Sequence, residues 1–298
     1  EPLRAANLLN PPLLYNVIDL PARGDVAVSS GGVRIERSGR VGIDVNFDLL
    51  LVIAGGDPTS FHDEKVFNWL KRLAALGVRL GGVSGGPVIL AAAGLLDGRR
   101  ITVHWEHADA LAELDPALMI ERTLYVVDRD RVTCAGGTAP MDLMHALMVE
   151  HHGADFARRV SDWFMHTDVR PSGDPQRAGL VERYGTTNRA VIDVIAIMEN
   201  RLADILSLDE LANIVGMSKR QLNRLFRDKL KTSTMTFYRD LRLEKARSLL
   251  TSSSLAITDI ALATGFSSSA HFSKAHAERY GMSPSAARNA ALEGLRNR

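Results

Sequence analysis

The chain has 298 residues, of which 24% are charged and 46% are hydrophobic. Since one domain usually takes about 100–200 residues, the length predicts two domains, and the composition excludes a disordered chain. No apolar run approaches the ~20 residues of a membrane span, so we expect no membrane partner. A single cysteine, Cys134, excludes an internal disulfide and favours a reducing compartment, which predicts a cytoplasmic protein.

The net charge of +1 conceals an uneven distribution along the chain. Residues 190–298 hold 16 Lys and Arg against 11 Asp and Glu, whereas residues 1–189 hold 20 against 24. The C-terminal third therefore carries a net charge of +5, and the remainder carries −4. Only the basic third suits a polyanionic partner such as nucleic acid.

Short apolar runs alternate with longer amphipathic segments over residues 1–150. Strands are predicted at residues 13–20, 47–54, 78–83 and 131–135, and helices at residues 62–76, 86–96 and 141–151. The run at residues 47–54 is apolar almost throughout and ends in Gly55-Gly56, as expected of a parallel strand buried on both faces. This alternation predicts an α/β domain with a mainly parallel sheet.

A segment without periodicity separates this domain from an all-helical one. Residues 168–188 contain Pro171, Gly173, Pro175, Gly179 and Gly185, which predicts a linker between domains at residues 1–167 and 189–298. The strand pattern then disappears. Helices are predicted at residues 191–202, 208–215, 219–230, 236–251, 257–263 and 269–280.

Two segments of the helical domain, residues 207–230 and 256–281, follow one plan. Each has a short helix, a glycine that permits a left-handed backbone (Gly216 or Gly265), and a serine that can cap a second helix. This pattern predicts two helix-turn-helix units in tandem. The alternative is a helical bundle that binds other proteins and whose polar helix faces only contact solvent. Glycines at corresponding positions between the two helices of each segment favour DNA binding instead.

The helix at residues 219–230 has an apolar stripe and an opposite face that carries polar and basic residues. Such a helix fits the major groove of double-stranded DNA, where arginine binds guanine or phosphate and asparagine binds adenine. The predicted DNA contacts of this helix are Lys219, Arg220, Asn223, Arg224 and Arg227.

Four segments give this domain a close resemblance to the AraC/XylS family of transcription regulators over residues 191–289. They are GMSKRQLNRLF (216–226), YRDLRLEKARSLL (238–250), HFSK (271–274) and GMSP (281–284). The resemblance implies base contacts by Arg220, Asn223 and Arg224 in the first unit. In the second unit it implies base contacts by Ser269, His271, Ser273 and Lys274. One departure is His276, where the family usually has a buried phenylalanine, and a titratable group there is expected to loosen the second unit.

In the N-terminal domain, Val83-Ser84-Gly85-Gly86 lies between a predicted strand and a predicted helix. Small neighbours permit the sharp turn of a nucleophile elbow, with Ser84 at the rim of the sheet and the Gly85 N–H at a helix N-terminus. Other notable segments are EPLRAAN (1–7), LLVIAGG (50–56), TVHWEH (102–107) and TCAGGT (133–138). With these segments the domain resembles the class I glutamine amidotransferase-like (DJ-1/PfpI) superfamily, in the GlxA-type branch that also carries an AraC domain. The resemblance implies a flavodoxin-like fold.

The superfamily usually has cysteine at the elbow and a histidine further along, where this chain has Ser84 and His104. A Cys–His pair works because imidazole favours the thiolate, whereas serine has a far higher pKa and needs an aligned base and an orienting acid. We therefore expect no catalysis. In the alternative, Ser84 and His104 form the catalytic pair of a serine-dependent amidase or hydrolase fused to a DNA-binding domain.

A binding site at the strand ends does not require the aligned base and orienting acid that catalysis by a serine needs. Open α/β sheets bind ligands at the carboxyl ends of their strands. Trp105 is a candidate there for contact with a methylated ammonium by a cation–π interaction, and the alternative is that its side chain packs in the hydrophobic core. The resemblance implies an amino-acid-derived or betaine-like effector. The predicted ligand-binding residues are Gly55, Gly56, Asp57, Ser84, Gly85, His104, Trp105 and Thr138.

No metal or cofactor is predicted. Adjacent helical residues such as His151 and His152 point about 100° apart, His104 and His107 lack a clear third ligand, and no phosphate-binding or dinucleotide motif occurs. We expect a ligand-sensing regulator that binds a double-stranded DNA operator as a homodimer, with RNA polymerase as a further candidate partner. A third interpretation is an N-terminal domain that only dimerises.

Overall fold

The protein, described as a computed structural model over residues 1–29, 31–253 and 255–296, divides into two compact units between Gln176 and Arg177. The helices of the first unit are α1 (Pro2–Leu9), α2 (Glu64–Ala75), α3 (Gly86–Ala92), α4 (Trp105–Leu114), α5 (Ala139–His152) and α6 (Ala154–Trp163). Its strands are β1 (Val26–Val28), β2 (Arg34–Glu36), β3 (Leu49–Ala54), β4 (Arg79–Ser84), β5 (Arg100–Thr102), β6 (Met119–Glu121), β7 (Tyr125–Asp128) and β8 (Arg131–Cys134).

The main sheet of the first unit has the strand order β3-β4-β8-β7. Strands β3, β4 and β8 are parallel, and β7 forms an antiparallel hairpin with β8. The register pairs Ala54 with Ser84 and Val83 with Cys134, so the three parallel strands end at one edge of the sheet. We call this edge, with residues 54–57, 84–86 and 134–138, the rim. Two short ribbons, β1–β2 and β5–β6, lie outside this sheet.

The parallel sheet predicted from the sequence is confirmed, but one predicted strand is wrong. Residues 13–20 form no strand, because the Leu14 and Tyr15 N–H groups donate to Asn7 Oδ1 (3.0 and 2.8 Å) instead of to a neighbouring strand. The helix predicted at residues 86–96 ends at Ala92, before Gly94 with its φ of 68°.

The second unit is helical, as predicted. Its helices are α7 (Leu180–Tyr184), α8 (Arg189–Asn200), α9 (Leu208–Ile214), α10 (Lys219–Leu230), α11 (Thr234–Ser252), α12 (Ile257–Ala263), α13 (Ser269–Tyr280) and α14 (Pro284–Arg296). The pairs α9–α10 and α12–α13 are the two predicted helix-turn-helix units, with left-handed Gly216 and Gly265 at their turns. Helix α11 joins them, since Tyr238 is buried in the core of the first pair and Leu243 in that of the second.

Regular structure occurs within residues 168–188, where the sequence shows no periodicity. Leu180 and Tyr184 lie four residues apart on α7 and pack against the hydrophobic core of the second unit. Arg183 Nη2 and the Tyr184 hydroxyl donate to the two carboxylate oxygens of Glu199 (2.9 and 3.1 Å). The division between Gln176 and Arg177 therefore lies inside the segment predicted to be a linker.

Candidate DNA interface and effector site

Helix α10 has a fixed orientation that leaves its basic residues exposed. Ser218 Oγ accepts the N–H of Gln221, while Gln221 Oε1 accepts the N–H of Ser218, which forms a capping box. Leu222 and Phe226 are fully buried on the opposite side. The exposed cations of this helix include Arg220, Arg224 and Arg227. Their spacing of four and seven residues places them on one helical face.

Two other predicted DNA contacts of α10 bind within the protein. Lys219 Nζ lies 3.0 Å from Asp209 Oδ2 in an exposed pair, for which a phosphate can compete. Asn223 is half-buried, and its Oδ1 accepts the N–H of Thr234, the first residue of α11 (3.0 Å). A bidentate contact with adenine needs that oxygen, so in this structure Asn223 ties α10 to α11 instead.

Helix α13 is capped and anchored in a similar way. Ser268 Oγ accepts the N–H of His271 (3.1 Å), and Phe272 is fully buried. The His271 ring meets the Phe266 ring edge-on at 5.5 Å, and its Nδ1 lies 3.3 Å from Ser267 Oγ. Of the predicted contacts, His271 and Lys274 are exposed, while Ser269 and Ser273 are half-buried.

The unusual residue His276 lies in the core of the second helix-turn-helix unit. Its side chain is 1% exposed and sits between the rings of Phe272 and Tyr280, at 5.6 and 4.8 Å. Its Nδ1 lies 2.8 Å from the carbonyl oxygen of Met282, so Nδ1 carries the proton and donates it. Within the described residues the buried Nε2 has no hydrogen-bond partner.

The elbow predicted from the sequence is present at the rim. Ser84 has a φ of 59°, a region that favours glycine and that a nucleophile elbow uses. The neighbouring glycines permit this close approach: a Cβ at Gly86 would lie 1.9 Å from the Val52 carbonyl oxygen, and one at Gly136 would lie 2.8 Å from Ser84 Cβ. At Gly86 and Gly136 the rim therefore leaves no room for a side chain.

The Gly85 N–H does not face a ligand, contrary to the prediction. It donates to the carbonyl oxygen of Ala54 (2.9 Å), which extends the hydrogen bonding between β3 and β4. Gly85 is also buried against Pro58. An anionic ligand at the rim therefore needs side chains or other backbone donors.

His104 lies beside the elbow, but it is not arranged as a base for Ser84. Its backbone N–H donates to the Ser84 carbonyl (3.2 Å), while its ring Nδ1 accepts the N–H of Glu106 (3.4 Å). Because Nδ1 accepts, the neutral ring carries its proton on Nε2. Burial lowers the pKa of His104, against the opposing effect of Glu106. In the described part of the chain, no hydrogen bond joins this ring to Ser84 Oγ.

Asp57 and His107 bring two further ionisable groups to the rim. Asp57 Oδ1 accepts the N–H of Thr59 (3.1 Å) and caps the turn at Pro58–Ser60. His107 is 6% exposed, and burial with repulsion from His104 lowers its pKa to about 4, against the attraction of Asp57. His107 is therefore neutral at pH 7.

A buried carboxylate near Thr138 organises a cluster that the sequence did not indicate. Asp142 is 0% exposed, and its Oδ1 accepts His166 Nε2 (2.8 Å) and the Arg170 N–H (2.9 Å). Its Oδ2 accepts Arg170 Nε and Nη2 (3.1 and 2.6 Å), and Nη2 also donates to Thr138 Oγ1 (2.8 Å). Burial alone would raise the pKa of Asp142, but the hydrogen bonds from Arg170 and His166 lower it.

The remaining predicted ligand residues also lie at or beside the rim. Gly55 is exposed and Gly56 has a φ of 68°, while Trp105 is half-buried with its ring 5.4 Å from that of His104. Thr138 is exposed at the N-terminus of α5. Two surface depressions occur elsewhere, at residues 37–43 and between residues 43–47 and the end of α2, and no rim residue lines them.

Across residues 1–29, 31–253 and 255–296, no three His, Cys, Asp or Glu side chains are grouped to hold a metal ion. In the same ranges, no helix combines the length and apolar character needed to cross a membrane.

Comparison with known proteins identifies the family. The DJ-1/PfpI family model matches residues 21–150, and the helix-turn-helix domain model matches residues 211–290. The HTH-type transcriptional regulator GlxA of Rhizobium meliloti (strain 1021) is 44% identical over 97% of this chain and 89% of its own. The HTH-type transcriptional regulator CdhR of Pseudomonas aeruginosa is 41% identical over 96% of this chain and 84% of its own. A solved AraC family transcriptional regulator from Pseudomonas putida is 28% identical over 55% of this chain and 88% of its own, with a TM-score of 0.48.

The two family matches fall on the two units separately. The first contains the sheet and the elbow, and the second contains the tandem helix-turn-helix units. Identity to GlxA extends over nearly the whole chain, and so includes both units. The chain therefore belongs to the GlxA-type transcriptional regulators, DNA-binding proteins in which a DJ-1/PfpI domain precedes an AraC-type helix-turn-helix domain.

Proposed function

We propose that this regulator senses a small amino-acid-derived or betaine-like metabolite at the rim, without converting it, and thereby changes its binding to a double-stranded DNA operator. The observation that carries the DNA-binding half is the exposed face of α10, with Arg220, Arg224 and Arg227 on one side and a fully buried Phe226 on the other. Lys219 lies at the start of this helix, and α13 offers the second face through Ser269, His271, Ser273 and Lys274.

The sequence-reading role of α10 is tested on DNA selected from a random double-stranded library with the full chain. Arg220→Ala and Arg224→Ala are each expected to lose ~1–3 kcal/mol on the selected site, as for loss of a bidentate contact with guanine. Lys229→Ala is the matched control, because Lys229 is exposed on the same helix but points to the opposite side of the helix axis from Arg220. Equal losses on selected and scrambled DNA would indicate phosphate contacts, and wild-type binding by both arginine variants would contradict the proposal.

The absence of catalysis is supported by the geometry around Ser84. The His104 ring uses Nδ1 to accept a backbone N–H, and the Gly85 N–H, which could stabilise an oxyanion, is bonded to Ala54. The one observation that favours an enzyme is the positive φ of Ser84, which is the geometry of an elbow nucleophile. The alternative function is thus a serine-dependent amidase or hydrolase fused to a DNA-binding domain.

Ligand-observed NMR distinguishes the two functions. The full chain is mixed with amino acids, betaines, acylated amines and their amides, and the spectra are followed over hours. Saturation transfer to a compound whose concentration stays constant is the expected result for a sensor. A compound that disappears with wild type but persists with Ser84→Ala would establish the enzyme.

We further propose that the operator-binding form is a cytoplasmic homodimer that acts on RNA polymerase. Support for the compartment comes from the single cysteine, Cys134, which is a free thiol, since an internal disulfide needs two. Sedimentation velocity at micromolar concentration tests the dimer, and transcription in vitro with purified polymerase tests the output. A dimer whose DNA affinity is the same with every metabolite would favour a first domain that only dimerises.

A further inference from the structure

We propose that Arg170 binds the carboxylate of the effector, and that this contact holds the segment carrying Arg170 on the first unit. We call this segment, residues 165–176, the strap. The inference rests on the proposed sensing function and deepens it, because it assigns a carboxylate as the recognised group and names the residue that binds it.

The Arg170 guanidinium is held in place by hydrogen bonds, but one of its donor nitrogens is unused. Asp142 and Thr138 bind its Nε and Nη2, which leaves Nη1 without a hydrogen-bond partner in the described ranges. The Arg170 side chain is 33% exposed, so Nη1 is accessible to a small molecule. Nη1 carries two N–H donors for a carboxylate, and a guanidinium that is already held in place loses little side-chain entropy on binding.

Arg170 lies where the effector is expected. Its Nη2 is 2.8 Å from the Oγ1 of Thr138, which lies at the N-terminus of α5 and two residues beyond Gly136, the glycine that packs against Ser84. Because the Gly85 N–H is bonded to Ala54, the elbow cannot supply that donor for an anion. Asp142 also accepts two hydrogen bonds at each oxygen, so a ligand does not have to neutralise it. Arg170 is therefore the cation best placed to receive a carboxylate at this end of the rim.

The strap connects this arginine to the start of the second unit. The Leu124 N–H donates to the carbonyl oxygens of Ser172 and Asp174 (3.1 Å each). Gln176 Nε2 donates to Thr102 Oγ1 and to the carbonyl oxygens of Val103 and Thr123, and the next residue belongs to the second unit. A carboxylate that accepts from Arg170 Nη1 and from the hydroxyl of Thr138, whose oxygen accepts from Nη2, contacts both the strap and the first unit. Such a ligand favours the docked strap over an undocked one. Such unequal affinity is what a ligand needs in order to shift an equilibrium.

The test uses acetate, the simplest carboxylate, against equal concentrations of sodium chloride. In the amide NMR spectrum of the full chain, the signals of Gly137 and Thr138 are expected to shift and saturate with a millimolar Kd. Arg170→Lys keeps a cation beside Asp142 and is expected to weaken acetate binding about tenfold, because a lysine ammonium that pairs with Asp142 does not also hold a second donor group in a fixed position for the ligand. Arg158→Lys is the matched control, since Arg158 also pairs with a carboxylate, Asp155, but at an exposed position of α6. The absence of saturable shifts, or equal weakening by both variants, would overturn the proposal.

Docking of the strap has its own readout in the hydrogen exchange of the Leu124 amide. Saturating acetate is expected to slow this exchange at least threefold in wild type and to leave it unchanged in Arg170→Lys. Unchanged exchange in acetate-saturated wild type would refute the coupling. The acetate test addresses only the carboxylate site at Arg170. If acetate does not bind but a metabolite binds to the full chain, the Arg170 proposal fails and the sensing proposal stands. If acetate binds but no metabolite does, the sensing proposal fails and the Arg170 site stands.

Discussion

Replacement of His107 by glutamine is expected to remove a specific acid sensitivity of the first unit. His107 is 6% exposed at the rim, and its pKa is lowered from 6.5 to about 4. In the folded state the ring therefore stays neutral down to about pH 4, whereas in the unfolded chain it takes up a proton below pH 6.5. Because the unfolded state binds more protons, stability is lost as the pH falls through this interval.

The size of the effect follows from the two pKa values. Between pH 7 and pH 5, this one group should lower the free energy of unfolding by about 2 kcal/mol. Urea denaturation followed by tryptophan emission measures it, because Trp69, Trp105 and Trp163 are the three tryptophans of the chain and all lie in the first unit. Emission therefore follows that unit without a contribution from the helix-turn-helix domain.

The test compares how the free energy of unfolding depends on pH in wild type and in His107→Gln. Wild type is expected to lose about 2 kcal/mol more than His107→Gln between pH 7 and pH 5. The matched control is His62→Gln, which makes the same substitution at an exposed histidine of the same unit. Parallel profiles for wild type and His107→Gln would refute the reasoning, because they would mean that the folded state protonates His107 as readily as the unfolded chain.

Three further substitutions test the local geometry. Gly86→Ala places a Cβ 1.9 Å from the Val52 carbonyl oxygen and should destabilise the first unit by about 3 kcal/mol, whereas Gly55→Ala, with open space around it, should change little; urea denaturation measures both. Asn223→Ala removes the acceptor for the Thr234 N–H and should cost about 1 kcal/mol, with no base-specific loss in DNA binding. Ser218→Ala should cost a similar amount through loss of the capping box, measured by thermal circular dichroism.

The features predicted well from the sequence are those fixed by local signals. The helix predicted at residues 219–230 coincides with α10, because Ser218 and Gln221 define its start by neighbouring side chains alone. The helix at residues 269–280 coincides with α13 for a similar reason, with Ser268 before it and left-handed Gly281 after it. The elbow was also predictable, since the small residues around Ser84 are adjacent in sequence.

The features that escaped prediction depend on contacts between distant parts of the chain. Arg170 reaches Asp142 across 28 positions, and it lies in a segment whose prolines and glycines indicate only irregular backbone. Asn223 shares a face with basic residues in the sequence pattern, yet the turn before α11 brings Thr234 against it. No periodicity shows that the Gly85 N–H is taken by Ala54, because this follows from the register of two strands.

Helix α11 has a thermodynamic consequence for the DNA-binding domain. Its residues contribute to both hydrophobic clusters, through Tyr238 in one and Leu243 and Leu249 in the other, all on one continuous helix. Neither helix-turn-helix unit can lose its core without exposing part of this shared helix, so the two should unfold as a single cooperative unit. A destabilising change in one recognition unit then lowers the population of both, and a weakened second unit cannot leave the first as an independent DNA-binding module.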